Sequence, residues 1–140
     1  MIKLIKKGFT LVELLAVIVI LALLLVVVAN NALPAMNNAK KNSLEVYAKR
    51  VVDQAKGLYA SAEISISSVT QCSESSGVIT CTFTDIKQIM GNDVDTSYSL
   101  VGDLVVTKNA SGYNITGAVT GAGFTTTITS SSGKVNYATS

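Results

Sequence analysis

The sequence contains no histidine and no tryptophan, and its 140 residues include one proline and two cysteines. Histidine is the most frequent general base and metal ligand in enzymes, so its absence argues against catalytic and metal-dependent roles. Four carboxylates remain as candidates in the second half of the chain: Asp85, Asp93, Asp95 and Asp103. They lack the spacing of a catalytic pair or of a calcium-binding loop. We interpret Asp93-Val94-Asp95 as a solvated loop, with a Ca²⁺ site as the alternative, and expect a protein that is not an enzyme and has no cofactor.

The two cysteines flank a short polar run. Cys72 and Cys81 lie on either side of Glu74-Ser75-Ser76-Gly77, which has the composition of a turn. If this part of the chain is outside the reducing cytoplasm, the pair is placed to close a hairpin disulfide. A loop of this size would stabilise the fold by roughly 2 to 3 kcal/mol. The alternative is a pair of free, half-buried thiols.

Charged residues are few, 14% of the chain, and they are unevenly distributed. Lys3, Lys6 and Lys7 precede Gly8, so the remainder of the chain has eight basic and nine acidic residues. This balance lacks the clustered positive charge that phosphate binding requires. We therefore expect no nucleic acid binding by the isolated domain.

The apolar residues are concentrated near the N-terminus. From Phe9 to Ala29 the one charged residue is Glu13, and a helix of about 20 residues spans the ~30 Å hydrocarbon layer. Lys6 and Lys7 directly precede this stretch. Because basic residues favour the cytoplasmic side, residues 1–8 should lie inside the cell and the remainder of the chain outside.

Glu13 distinguishes this stretch from two common alternatives, a secretory signal peptide cleaved near Val27-Val28-Ala29 and an uncleaved anchor. A carboxylate in the membrane interior costs on the order of 2.5 to 3.5 kcal/mol. Cleavage between Gly8 and Phe9 would create an α-amine four positions before Glu13. The amine of a neighbouring, axially shifted helix would neutralise the carboxylate and fix the register between the helices.

The run from Lys6 to Leu15, Lys-Lys-Gly-Phe-Thr-Leu-Val-Glu-Leu-Leu, resembles the prepilin processing motif of type IV pilins and pseudopilins. The resemblance covers about 30 to 50 residues. It implies that a prepilin peptidase cuts after Gly8 and that the same type of enzyme N-methylates Phe9. It also implies that Glu13 recruits the subunit by pairing with the Phe9 amine of an adjacent subunit, while Leu14–Val28 packs in the filament core.

The resemblance implies a structural subunit of a type IV pilus-like filament, built from copies of the chain itself. Its further partners would be the peptidase and methylase, an assembly platform and an ATPase. The chain would be a single-pass membrane protein before assembly and an extracellular filament afterwards. The alternatives are a pseudopilin of a type II secretion or competence DNA-uptake machine and, less favoured, a singly displayed, membrane-anchored binding domain. An extracellular enzyme is the least favoured.

The proline departs from the family pattern. The family often has a helix-kinking proline near Asn30, whereas this chain has Pro34. We expect a bend or melted turn from Asn30 to Pro34, because proline removes a donor and disfavours helical geometry before it. The alternative is that Pro34 marks the membrane exit. The predicted organisation is a leader at 1–8, a transmembrane and filament-core helix at 9–35, and an extracellular head at 36–140.

The head pattern predicts an α+β fold in which the second half of the long helix packs on a small antiparallel sheet. Apolar residues recur at helical spacing up to an expected helix end near Ala62: Leu44, Tyr47, Val51, Ala55, Leu58 and Ala62. A short helix is predicted at Asp85–Met90. Four strands are predicted from alternating β-branched and aromatic residues: Leu100–Lys108, Tyr113–Thr120, Phe124–Thr129 and Lys134–Ala138.

Overall fold

The computed structural model describes residues 8–140, so the predicted leader lies, apart from Gly8, outside the described residues. The chain divides into two compact units, Met1–Asn38 and Ala39–Ser140. One helix, α1 (Leu11–Ile64), contributes its first part to the first unit and its second part to the second. The boundary predicted between residues 35 and 36, where the membrane segment would end, stays a prediction.

The first part of α1 is apolar on every side. Its large hydrophobic side chains are exposed from Leu11 through Met36, and its most apolar window has a mean hydropathy of 3.4. A helix that is hydrophobic all round needs a lipid or protein environment. By length and composition, α1 is able to cross a membrane.

The helix continues through Pro34 without interruption. The melted turn predicted between Asn30 and Pro34 is therefore wrong, while the bend stays a prediction. Proline removes one backbone donor, but the residues on either side keep their own helical bonds. One turn earlier, Asn31 Nδ2 donates to the carbonyl oxygen of Val27 at 3.1 Å, which adds a side-chain bond to the helix.

The second part of α1 has one buried face. The buried residues recur every three or four positions: Leu44, Tyr47, Ala48, Val51, Val52, Ala55, Tyr59 and Ala62. Leu58, predicted to belong to this face, is only partly buried, and Tyr59 takes its place in the core. The helix ends at Ile64, two residues beyond the predicted end. The α+β fold predicted from the sequence is confirmed.

The described residues contain seven strands, all paired antiparallel: β1 (Cys72–Ser75), β2 (Val78–Phe83), β3 (Tyr98–Leu100), β4 (Leu104–Asn109), β5 (Gly112–Gly121), β6 (Phe124–Ser131) and β7 (Lys134–Thr139). Their order across the sheet is β1-β2-β4-β5-β6-β7, and β3 pairs with β5. The predicted helix at Asp85–Met90 is confirmed as α2 (Ile86–Met90), which Asp85 caps by accepting a bond from the Lys87 backbone.

The sequence predicted one strand from Leu100 to Lys108, and the structure corrects this to two. β3 ends at Leu100 and β4 begins at Leu104, and both pair with β5. Gly102, between them, has a φ of 72°, a conformation that breaks strand geometry. Opposite the break, Gly117 approaches so closely that a Cβ there would lie 3.0 Å from the Leu104 Cα.

The sheet packs its inner face against the second part of α1. The buried side chains of this face are Cys81, Phe83, Leu104, Val106, Ile115, Val119, Thr126 and Ile128. Thr126 is the polar member, and its hydroxyl bonds the Thr139 hydroxyl at 2.8 Å, which satisfies both groups. The head therefore has a hydrophobic core of its own.

The outer face of the sheet, away from α1, is rich in threonine. Side chains alternate along a strand, so the residues between the buried positions point outward. The outward threonines are Thr80, Thr82, Thr107, Thr116, Thr120, Thr125, Thr127 and Thr129. Two cross-strand pairs, Thr80 with Thr107 and Thr120 with Thr125, place such residues side by side. We call this set the threonine face.

The β6–β7 turn makes a close contact that can be tested by substitution. Gly133 and Gly123 both have a left-handed φ, 80° and 87°. A Cβ on Gly133 would overlap the carbonyl oxygen of Ser111, whereas one on Gly123 would meet nothing within 4 Å. Left-handed geometry costs alanine about 1 to 2 kcal/mol at either site. We expect Gly133→Ala to lower the free energy of unfolding by about 1 to 3 kcal/mol more than Gly123→Ala, because overpacking adds to that cost.

Urea unfolding of the detergent-solubilised chain, followed by near-ultraviolet circular dichroism of its tyrosines, would measure this difference. Equal destabilisation by the two variants would contradict the contact between the β4–β5 and β6–β7 turns.

Candidate functional site

The residues of the predicted cleavage site lie just before α1. Gly8, Phe9 and Thr10 are not helical, and α1 begins at Leu11. Phe9 as a whole residue is 85% exposed. The peptide bond between Gly8 and Phe9 is therefore outside the helical hydrogen-bond ladder.

Thr10 and Glu13 form a reciprocal pair of hydrogen bonds at the helix start. The Thr10 backbone N–H donates to Glu13 Oε2 at 3.4 Å, and the Glu13 backbone N–H donates to Thr10 Oγ1 at 3.3 Å. The Thr10 carbonyl oxygen also accepts the backbone N–H of Leu14 at 3.2 Å, the first helical bond of this turn. This is a capping box, which provides an acceptor for the Thr10 N–H and a second one for the Glu13 N–H, which also donates to the Thr10 carbonyl oxygen at 3.1 Å.

Sequence reasoning missed the role of Thr10. The signal was present, because Thr10-Leu11-Val12-Glu13 is the threonine-x-x-glutamate pattern that precedes an apolar run in a capping box. The capping box directs the Glu13 carboxylate back toward the chain end. Gly8, Phe9, Thr10 and Glu13 consequently line one open depression.

The Glu13 carboxylate has no cationic partner among residues 8–140. The ion pairs of the described residues all lie in the head: Glu45–Lys49, Arg50–Asp93, Asp53–Lys56 and Glu63–Lys108. The bonds with Thr10 are long and supply no positive charge. Among the described residues, this acid at the start of an apolar helix therefore has no opposite charge beside it.

Cys72 and Cys81 are joined by a disulfide in the structure. They are directly opposite each other in the β1–β2 pairing, with their Cα atoms 4.0 Å apart. The β1 strand is at the edge of the sheet, and beyond Cys72 all of its residues are exposed. The disulfide therefore attaches an edge strand that buries little apolar surface of its own.

The aspartates considered for Ca²⁺ make other interactions. Asp93 lies 3.7 Å from Arg50, and Asp95 Oδ1 accepts the Ser97 backbone N–H at 2.9 Å. The Asp95 backbone N–H donates to the Tyr47 hydroxyl at 3.2 Å, which ties this loop to α1 within the head. Within residues 8–140, no group of three or more His, Cys, Asp or Glu residues is arranged to hold a metal ion.

Three groups of the head have raised pKa values. Burial, followed by the nearby Glu63, raises the pKa of Tyr59, and burial also raises the pKa of Tyr137. A hydrogen bond to Glu63 raises the pKa of Lys108, whose Nζ lies 2.9 Å from a Glu63 carboxylate oxygen. These residues are distant in sequence from the N-terminal site and belong to the packing of the head.

The raised pKa values predict loss of stability at alkaline pH. A group whose pKa is higher in the folded state stabilises the fold at pH values below the pKa that it has in the unfolded chain. This contribution is lost as the pH rises through the pKa that the group has in the folded state. In an unfolded chain the pKa of a tyrosine is about 10 and that of a lysine about 10.4. We expect the urea midpoint to be constant from neutral pH to about pH 9 and to fall above pH 10.

Tyr59→Phe should weaken this dependence, because phenylalanine does not ionise. The disulfide must be checked by mass at each pH. A urea midpoint that increases as the pH is raised above 10 would contradict the prediction.

Comparison with known proteins identifies the N-terminal segment. Residues 4–29 match the prokaryotic N-terminal methylation motif, and the head is outside the matched range. Neither the curated proteins nor the solved structures gave a match. The motif is found in structural rather than enzymatic proteins, and with the apolar helix it fits a membrane-anchored precursor. The chain thus carries the signature of the type IV pilins and pseudopilins at its N-terminus.

Proposed function

We propose that this protein is a structural subunit of a type IV pilus-like filament, cut between Gly8 and Phe9 and assembled through the first part of α1. The observation that carries the proposal is an apolar, exposed helix whose first turn has one carboxylate, Glu13, with no cationic partner among residues 8–140. Both properties are unfavourable in a single chain. Both are relieved when copies of the helix pack together.

The negative charge of Glu13 favours a second copy of this chain as the partner. Cleavage before Phe9 replaces a neutral peptide nitrogen by an ammonium group, and N-methylation of that amine keeps its positive charge. An ammonium from a second copy, shifted along the helix axis, would meet the Glu13 carboxylate in an apolar environment. Removing one partner from such a pair costs about 3 to 5 kcal/mol, so the pair would also select one register between helices.

The apolar surface argues for the same arrangement. On a protein in water, a continuous exposed hydrophobic surface marks a site of contact with a membrane or with another protein. Before assembly, lipid would cover the helix from Leu11 to about Ala29. After assembly, the equivalent surface of other subunits would replace the lipid.

Gly8 supports a role for a processing enzyme. Among the described residues, a Cβ on Gly8 would meet no atom within 4 Å, so packing does not require glycine there. A demand for a small residue at this position would come from the active site of a prepilin peptidase. The exposed, non-helical chain at Gly8 and Phe9 is accessible to such an enzyme.

The remaining partners follow from the proposed pathway. The precursor would be a single-pass membrane protein with its head outside the cell, where the Cys72–Cys81 disulfide is stable. An assembly platform and an ATPase would move the subunit from the membrane into the extracellular filament. A pseudopilin of a secretion or DNA-uptake machine would share this N-terminal chemistry and differ in the abundance and length of its filament.

Mass spectrometry of protein sheared from the cell surface tests the proposal. We expect a mature mass that begins at N-methylated Phe9 and lacks two hydrogens for the Cys72–Cys81 bond. Cleavage near Ala29 would indicate a secretory signal peptide and overturn the proposal. An intact Met1 end, found only in the membrane fraction, would instead indicate an anchored binding domain.

A further inference from the structure

Four asparagines surround the proline of α1. They lie three and four positions before Pro34 and three and four positions after it: Asn30, Asn31, Asn37 and Asn38. Side chains at these spacings are neighbours on a helix surface, and α1 is unbroken here, so the four amides form one group around the proline. We call this group the asparagine patch. All four of its residues are exposed in the single chain.

The proline adds a backbone acceptor to the patch. At this position any other residue would donate its N–H to the carbonyl oxygen of Asn30, but proline has no N–H. The Asn30 carbonyl oxygen therefore lacks its usual helical donor. Within residues 8–140 the patch makes one side-chain hydrogen bond, from Asn31 Nδ2 to the carbonyl oxygen of Val27 at 3.1 Å. The other three amides are free to bond groups outside the chain.

The helix around the patch has no charge, although it extends beyond the length that a membrane requires. Residues Phe9–Ala29 are enough to cross the ~30 Å hydrocarbon layer. No charged residue lies between Glu13 and Lys40, so the charge-free helix continues about 15 Å past that span. A segment that stays in water has no need to exclude charge, because charged side chains are the usual surface residues. The exclusion of charge favours burial on assembly, since a buried amide is less costly than a buried charge.

We propose that the asparagine patch is a contact surface for other copies of this chain, held by hydrogen bonds from its amides. The inference rests on the proposed function and adds to it a polar contact beyond the membrane span. An amide both donates and accepts, so amides on two copies are complementary, whereas a surface with one sign of charge would repel its copies. The other residues beside the proline are apolar and would exclude water from these bonds: Ala32, Leu33, Ala35 and Met36.

The register proposed at the chain end agrees with this contact. If the Phe9 amine of one copy lies beside Glu13 of the next, the two parallel helices are shifted by four residues, or about 6 Å along the axis. The same shift brings Pro34 of the first copy level with Asn38 of the second. The Asn38 amide can then donate to the carbonyl oxygen that lacks its helical donor. One shift therefore serves both contacts.

Two substitutions of Asn38 test the contact. Asn38→Asp keeps the shape of the side chain, but its carboxylate would repel a carbonyl oxygen and place a charge between helices. We expect it to lower the amount of sheared filament about tenfold or more. Asn38→Leu is similar in size and has no donor, so it would leave the carbonyl oxygen unsatisfied. We expect a loss of about threefold or more.

Asn42→Asp is the matched control. It makes the same chemical change on an exposed residue of the same helix, beyond Lys40, where charged residues are already present. We expect normal filaments from this variant. Sheared filament would be measured relative to the cell-associated mature subunit, and cleavage and the disulfide would be checked by mass in every variant.

Three results would overturn the inference. If Asn38→Asp assembles like the parent, the patch stays in water. If Asn38→Leu assembles like the parent, the helices pack there without amide bonds. If Asn42→Asp loses as much filament as Asn38→Asp, the effect is not specific to the patch. Failure of the proposed function would look different, because the parent chain would then give no sheared filament with a Phe9 end.

Discussion

Glu13→Gln should reduce the amount of surface filament by about tenfold or more. The amide is nearly the same size as the carboxylate and can still cap α1, so the helix should begin at the same residue. It cannot neutralise the Phe9 ammonium of a neighbouring subunit, and an unpaired charge in an apolar core costs about 3 to 5 kcal/mol at each addition. Sheared material would be quantified by immunoblot and examined by electron microscopy, with the cell-associated mature subunit as reference.

Glu63→Gln is the matched control for this experiment. It makes the same chemical change at an exposed head residue, where the ion pair with Lys108 contributes little in water. We expect normal filaments from this variant. In both variants the precursor should still be cut after Gly8, so that a filament defect in Glu13→Gln reflects assembly. Fibres of parental number and order from Glu13→Gln would refute the charge argument.

Gly8→Val should block processing, leaving about one tenth or less of the chain in the mature form. A Cβ at this position meets no described atom within 4 Å, so the head should fold and form its disulfide normally. The bulk would instead obstruct the peptidase, and a peptide nitrogen at Phe9 would leave Glu13 without an ammonium partner. Filaments should therefore also be absent. The measurement is the ratio of precursor to mature chain by mass and by gel mobility.

Gly57→Val provides the control for this second experiment. Gly57 is an exposed glycine of α1 at which an added Cβ also meets nothing within 4 Å. Valine should be tolerated there, because it is a better helix former than glycine. Efficient cleavage of Gly8→Val, or filaments built from its uncut chain, would contradict the assignment of the processing site.

The N-terminal site was the part of the molecule most open to prediction, because its chemistry is local. One acid in an apolar run, a glycine before it and lysines before that are visible in ten consecutive letters. Thr10 lies in the same stretch, yet its role was missed, because the sequence analysis considered the charge of Glu13 and not its hydrogen bonds with Thr10. The sequence pattern of the capping box was present but was recognised only from the geometry.

Other parts of the fold differ from what the sequence patterns predicted. Period-three and period-four spacing predicted the buried face of α1 but selected Leu58, whereas the adjacent Tyr59 is the buried residue, because both satisfy that spacing. Between Leu100 and Leu104 the local signal is Gly102, with a φ of 72°, whereas the close approach of Gly117 is a long-range contact that strand patterning does not contain. Similarly, the uninterrupted helix at Pro34 depends on the bonds of its neighbours, whereas local rules describe only the cost of the proline itself.

The threonine face has a consequence for how this protein can change over generations. The core that stabilises the head lies on the opposite side of the sheet, so exchanging one of its exposed threonines, Thr116, Thr127 or Thr129, for another strand-compatible residue should alter folding stability by about 0.5 kcal/mol or less. The chemistry of this side of the sheet can therefore change while the fold of the head stays the same. If the chain assembles as proposed, the apolar first part of α1 has less freedom, because each copy would pack against other copies.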